Sequence, residues 1–409
     1  MKKYFIIAGV LVVVVIIGAF VVPPLIGKFK GGGPQGGPPG CASLQAGEWT
    51  PDKGECPSKM AELDAKCNEF CAKHPDCCGD RSGGDKSFGG QERLLTLPSA
   101  WDIFKLKREY PAVIKCLNEG PNIFSREGPA EVVGAEKLDA IKAAGFNTIQ
   151  VLLIGKKDNG KLVFNDYNNS ILLNDIVAIK KKGLAVWVAL DVAGVPTEGG
   201  ISLGAYDDFK ASFLDFTKKS AELMEEYKVE YFTAANEPDK PFKEQKQWSE
   251  AEINANLADF FPAVNVASRE KFIGKLINKI TRTKEHAPEV LAASFKDVDI
   301  AGVDIGPAMD GGMSFTDYKA RFSEYQFYAS LAEAAGVPWM NAEYWQGDFD
   351  QGYFDFAQKN ELKYAKVSFD AYLKTTPKGQ GYVWNDWRTF SLPQGEQTKQ
   401  AIKEFFSKL

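Results

Sequence analysis

The chain has 409 residues, 49 Lys and Arg against 54 Asp and Glu, a formal net charge of −5, seven cysteines and two histidines. The mild acidity offers no basic stripe for nucleic acid, while 44% hydrophobic and 12% aromatic residues supply a sizeable core. His74 lies in a cysteine cluster and His286 in the polar run Glu285-His286-Ala287-Pro288. Catalysis in the main body is therefore expected to work without a Ser-His-Asp triad, a His-ligated metal or a histidine base.

Tyr4 to Val22 is an uncharged, Val/Ile-rich run of nineteen residues, preceded by Lys2 and Lys3 and closed by Pro23 and Pro24. At ~1.5 Å per residue it spans roughly 28 Å, close to a bilayer core. Its apolar stretch exceeds the usual ~7–15 residues of a secretory signal and no clear small-x-small cleavage site follows. A membrane anchor with the rest of the chain outside the cytoplasm is expected over residues 1–27; a cleaved signal peptide is the rival. Residues 28–40 are Gly/Pro-rich and read as a tether. Six cysteines follow within 41–80 (Cys41, Cys56, Cys67, Cys71, Cys77 and Cys78), an even set that suggests a small disulfide framework. A metal cluster with His74 is the alternative, and it lacks Cys-x-x-Cys knuckles. Cys116 stands alone and is expected as a buried thiol. Residues 81–110 read as linker and lead-in.

From about Pro111 to Leu409, strands and helices alternate. Strands are expected at Asn122–Ser125, Thr148–Ile154, Ala185–Asp191, Glu230–Ala235, Val290–Phe295, Ile300–Ile305, Pro338–Ala342 and Gly381–Trp384. Helices are expected at Gly134–Ala144, Ile171–Lys182, Phe209–Tyr227, Glu270–His286, Phe315–Ala335, Phe354–Leu373 and Glu396–Leu409. Eight such repeats in roughly 290 residues suit an α/β fold of the (β/α)8 TIM-barrel type over 111–409. An open doubly wound sheet is the rival, and no Gly-x-Gly-x-x-Gly loop supports it.

Barrels carry their catalytic groups at the C-terminal ends of the strands. The fourth strand runs into Ala235-Asn236-Glu237-Pro238 and the seventh into Asn341-Ala342-Glu343-Tyr344-Trp345. Two carboxylates facing one mouth suit glycoside hydrolysis, one as proton donor and one as nucleophile. A separation of ~5–5.5 Å implies retention of configuration, and ~6.5–9.5 Å inversion.

This combination resembles the clan A glycoside hydrolases, retaining (β/α)8 enzymes that include cellulases, mannanases and galactanases. The resemblance covers Pro111 to Leu409. It implies Glu237 as acid/base, Glu343 as nucleophile, Asn236 on the sugar 2-hydroxyl and Trp384 as a sugar platform, with no cofactor and no metal. It further implies a β-linked glycan as substrate. Tyr344 and Trp345 are candidate stacking residues. Asp191 and Asp304, ending the third and sixth strands, are candidate hydroxyl binders, and Arg126, after the first expected strand, could orient a carboxylate. The sequence departs from many clan members in lacking an Arg after strand two and a His or Tyr near strands five to six. A monomer is expected. Two other readings compete: a non-catalytic glycan-binding protein on the same scaffold, and a Schiff-base enzyme using Lys296 after the fifth expected strand, with Asp297 or Asp299 as its acid.

Overall fold

The fold was obtained as a computed structural model, which describes residues 96–118, 134–158, 161–164, 166–191, 203–281, 286–305, 318–344, 351–385, 390 and 395–409. Chain contacts separate Met1–Gln91 from Glu92–Leu409, and all described residues belong to the second unit. The expected membrane run, tether and six-cysteine segment lie outside the described residues. Among the described residues no helix is long and apolar enough to cross a membrane, and the one cysteine, Cys116, is a free buried thiol, as expected.

A short helix α1 (Ala100–Phe104), capped by the Ser99 hydroxyl, precedes the sheet. Then follow β1 (Ile114–Asn118), α2 (Ala135–Ala143), β2 (Thr148–Asp158), β3 (Lys161–Phe164), α3 (Asp166–Lys181), β4 (Ala185–Asp191) and α4 (Tyr206–Glu226). The second half comprises β5 (Tyr231–Asn236), α5 (Asp239–Lys243), α6 (Glu250–Arg269), β6 (Lys275–Leu276), α7 (Pro288–Ser294), β7 (Ala301–Asp304), α8 (Tyr318–Ala334), β8 (Trp339–Tyr344), α9 (Gln351–Lys374), β9 (Gly381–Asn385) and α10 (Gly395–Phe406).

Eight strands lie side by side in the order β6-β5-β4-β2-β1-β9-β8-β7, and every neighbouring pair is parallel. Parallel bridges Ile277–Ile300 and Ile280–Val303 join the segment beyond β6 to the β7 segment, so the sheet curls shut as an eight-stranded barrel. Apolar groups sort into two bodies. One, drawn from strands alone, includes Ile114, Cys116, Trp187, Tyr231, Met340 and Val383 and fills the barrel interior. The other packs the outer faces of the strands against helix stripes such as Phe213, Phe216 and Met224 of α4.

Three expectations are corrected. Glu270–His286 is not a helix: α6 ends at Arg269 and Lys275–Ile280 forms the fifth barrel strand. A short apolar run such as Leu276-Ile277-Asn278-Lys279-Ile280 fits either period, and its burial inside the barrel decides the outcome. Conversely, Val290–Phe295 is not a strand but lies largely in α7, which Pro288 opens at its first turn. The first barrel strand is β1, immediately after Pro111; the segment Asn122–Ser125 and Arg126 lie outside the described residues. The antiparallel β3, paired to the far end of β2, was also missed, although Asn159-Gly160 between them is a strong hairpin signal.

Candidate active site

The site is assembled at the C-terminal ends of β5, β7, β8 and β9 and of the fifth barrel strand. Register shifts interrupt the ladders at three places near these ends: between Ala189 and Asp191 against β5, between Val303 and Asp304 against β8, and between Asn341 and Tyr344 against β9. Such irregularities re-aim side chains at a strand's end. Beyond β5 the chain turns sharply. Glu237 has φ 47°, a left-handed conformation unusual for a residue with a side chain. Pro238 and Asp239 are buried behind it. The Asp239 carboxylate accepts hydrogen bonds from the backbone N–H of Thr281 at 3.2 Å and from the Thr281 hydroxyl, and lies 3.2 Å from Nε2 of His286. His286, read in sequence as part of a polar run, is in fact buried. The Asn-Glu-Pro-Asp turn is thereby pinned to the segment after the fifth strand, which holds Glu237 in its strained backbone.

Glu237, Asp304 and Glu343 each offer a carboxylate oxygen to one small space, all three within 4.8 Å of one another. Lys279, buried on the fifth strand, reaches into the same space. Its Nζ donates to Glu343 Oε2 at 2.5 Å and lies 3.6 Å from Asp304 Oδ2. Asn385, ending β9, donates to Glu343 Oε1 at 3.0 Å. Glu343 is thus held at both oxygens. Lys240, one turn along α5, folds back to donate to Glu237 Oε2 at 2.6 Å. Its side chain is half exposed, whereas that of Glu237 is 13% exposed.

The electrostatics follow from this packing. Burial works against ionising Glu237, but the Lys240 and Lys279 ammoniums, with the hydrogen bond from Lys240, outweigh it and hold the carboxyl at about 2. For Asp304, burial pushes the carboxyl well above its ordinary range. The negative charges of Glu237 and Glu343 add to that push, and Lys279 opposes it. Burial disfavours the Lys279 charge, yet three carboxylates raise its affinity for the proton, so it stays an ammonium. The cation of this carboxylate cluster is the protein's own lysine.

The other sequence candidates fall as follows. Asn236 is buried beside this space, paired in register with Asp191 across β4 and β5; its Oδ1 receives no hydrogen bond. Asp191 is partly exposed at the same rim. Trp384 and Tyr344 are each 1% exposed. Their rings pack on one another at 5.4 Å, and Trp384 stacks on Phe390. The structure places both in the aromatic core rather than on an open face. Trp345 and Arg126 lie outside the described residues. Lys296 is exposed beyond α7, on the run leading into β7 and away from the strand ends; the Schiff-base reading loses its premise. Sequence reading missed Lys279 because its strand was taken for a helix. Read as the fifth strand, the run would have placed Lys279 near the barrel mouth.

No family model matches the sequence, and no curated protein matches it. Solved structures do resemble the fold. A family 5 xyloglucanase from Paenibacillus pabuli is 14% identical, with a TM-score of 0.52 over 73% of this chain and 98% of its own. A GH5 xyloglucanase from Bacteroides ovatus, solved with a XXXG heptasaccharide, is 12% identical, with a TM-score of 0.54 over 72% of this chain and 75% of its own. A GH113 β-1,4-mannanase is 11% identical, with a TM-score of 0.51 over 72% and 98%. The fold of this chain is that of the clan A glycoside hydrolases of families 5 and 113.

Proposed function

We propose that the chain is a retaining β-glycoside hydrolase, in which Glu343 attacks the anomeric carbon and Glu237 serves as acid and base. The observation that carries this reading is the approach of the Glu237 and Glu343 carboxylates, from the fourth and seventh barrel strands, to within 4.8 Å. That distance supports retention, because an inverting pair stands further apart to admit a water between them. Lys279 and Asn385 clamp Glu343 at both oxygens and aim it, and Asn236 is available for the sugar 2-hydroxyl. The structural neighbours named as xyloglucanases and a β-1,4-mannanase support a β-linked polysaccharide or oligosaccharide as substrate. The apolar run at Tyr4–Val22 supports a membrane-anchored protein whose barrel lies outside the cytoplasm.

The test is hydrolysis of a β-glycan panel and of aryl β-glycosides by the wild-type protein and by Glu237→Ala and Glu343→Ala. The expected losses are ~10²–10⁴-fold for Glu237→Ala and at least as large for Glu343→Ala. Unchanged turnover in both variants would sink the assignment. A non-catalytic glycan-binding role is the second reading. It is favoured by the 2.5 Å pairing of Glu343 with Lys279 and by the burial of Trp384 and Tyr344. Glycan affinity without turnover in the wild-type protein would select it.

A further inference from the structure

Asp304 has no counterpart in the two-carboxylate scheme, yet its geometry is unusual. It is buried at the end of β7, and neither of its oxygens accepts an N–H or O–H from any described residue. What it meets instead is the Glu237 carboxylate, one oxygen of which lies within 4.8 Å of its own, and the Lys279 ammonium at 3.6 Å. Two carboxyl groups this close in a buried space disfavour ionising together, so a proton held by the pair is favoured. A charge count gives the same answer. Three carboxylates face two ammoniums, Lys240 and Lys279, so one proton makes the buried group neutral.

We propose that Glu237 and Asp304 hold one proton between them and act together as the acid/base, with Lys279 as the counterion shared by this pair and Glu343; the inference rests on the hydrolase reading of the site. At rest, the pair carries one negative charge and Glu343 another. In the first step Glu237 passes the proton to the glycosidic oxygen. The bond from that oxygen to the anomeric carbon breaks, and a Glu343 oxygen bonds to the carbon. Glu343 is then a neutral ester and the pair is doubly negative: one unit of charge has moved across the site, and the total is unchanged. Lys279 already touches one end of that path and lies near the other, so it follows the charge with a small swing. In the second step water gives a proton to Glu237 while its oxygen bonds to the anomeric carbon. The ester bond breaks, Glu343 leaves as a carboxylate, and the pair again holds one proton. Among the described residues, the charged groups facing Asp304 are Glu237, just after β5, Lys279 from the fifth strand and Glu343 from β8, with Lys240 of α5 beside Glu237.

The experiment compares Asp304→Asn with wild type on two substrates. An asparagine keeps a hydrogen-bond donor to Glu237 but supplies no transferable proton, while Lys240 and Lys279 keep Glu237 ionised. The variant is expected to lose ~10²-fold or more on an unactivated glycan. It should stay within about tenfold of wild type on a dinitrophenyl glycoside, whose leaving group departs without a proton and whose ester an ionised Glu237 can still deprotonate water to cleave. Equal losses on both substrates, or no loss on the glycan, would overturn the proposal. A second measurement needs no variant that turns over: infrared spectroscopy of the full-length wild-type protein at neutral pH should show the carbonyl stretch of a buried protonated carboxyl, absent from Asp304→Asn. Lack of that band overturns proton sharing. If the band is present but the wild-type protein hydrolyses nothing, the hydrolase reading and the acid/base role fail together while the shared proton is upheld.

Discussion

Lys279 is the residue on which the most charge converges. Its ammonium is buried among Asp304, Glu237 and Glu343, so replacing it by alanine leaves an excess of negative charge with no route to solvent. Removing one partner of a buried charge pair typically costs ~3–5 kcal/mol; a loss of that order is expected for Lys279→Ala in denaturant unfolding at neutral pH, and a loss below about 1 kcal/mol would mean the carboxylates are relieved another way. Asp304 gives a pH signature of its own. Its folded affinity for a proton is raised above the ordinary value of 3.8, so unfolding releases a proton above that pH. The stability this contributes is present at low pH and is lost as pH rises. Glu237, lowered to about 2 from an ordinary 4.5, acts oppositely and loses its contribution as pH falls below 4.5. Asp304→Asn removes the first effect, while Lys240 and Lys279 still hold Glu237 ionised. Its unfolding free energy relative to wild type is therefore expected to improve as pH is raised from about 4, and a flat difference would contradict the raised proton affinity. Glu237 and Glu343 were legible in the sequence because each ends an apolar run at a strand's C-terminus. The roles of Lys279, Asp304 and His286 were not, since they depend on which strands stand side by side.

At the scale of elements, the closure between the fifth barrel strand and β7 depends on Gly302. A methyl group added there would stand 2.1 Å from the Asn278 carbonyl oxygen and 3.0 Å from the Ala342 side chain. Neither neighbour can retreat, one being backbone and the other a packed strand, and the Gly302 N–H is bound to the Asn278 side chain at 2.9 Å. Gly302→Ala is expected to cost at least ~1–3 kcal/mol, as overpacking does in tight cores, and to depress turnover because Asn278 is the immediate neighbour of Lys279. A variant as stable and active as wild type would show that the strands can part without consequence. The same region explains where sequence reading failed. β4, β5, β8 and β9 are dense in Val, Ala, Trp and Tyr, with helices of 16 or more residues nearby to punctuate them. The fifth strand alternates Lys, Leu, Ile, Asn and Lys next to a 20-residue helix, and its pattern continues that helix's chemistry without a break. Its parallel ladder with β5 and its bridges to Asn236, Ile300 and Val303 identify it as sheet.

For the whole molecule, the contact boundary at Gln91/Glu92 leaves all eight parallel strands and their helices on one side. A chain beginning at Glu92 is expected to unfold cooperatively and to keep the turnover of the full-length protein on soluble substrates. Loss of cooperative folding in that fragment would show that the first 91 residues contribute to the barrel's stability. The parallel α/β class was legible from strand–helix alternation, since parallel strands need crossovers, and the count of eight repeats with no Gly-x-Gly-x-x-Gly loop favoured a barrel over an open sheet. The barrel interior has a consequence of another kind. Trp187, Tyr231 and Met340 block it, with the Trp187 indole N–H bonded to the Thr233 hydroxyl at 2.8 Å, so nothing passes through the axis. In the proposed hydrolase, sugar, leaving group and water would share a single doorway. The water that completes the second step arrives only after the departing sugar has vacated its place, and any alcohol waiting at that doorway competes for the same seat. A plugged axis thereby turns the order of traffic into a choice between hydrolysis and sugar transfer, decided by whatever solute stands nearest the mouth when the first product leaves.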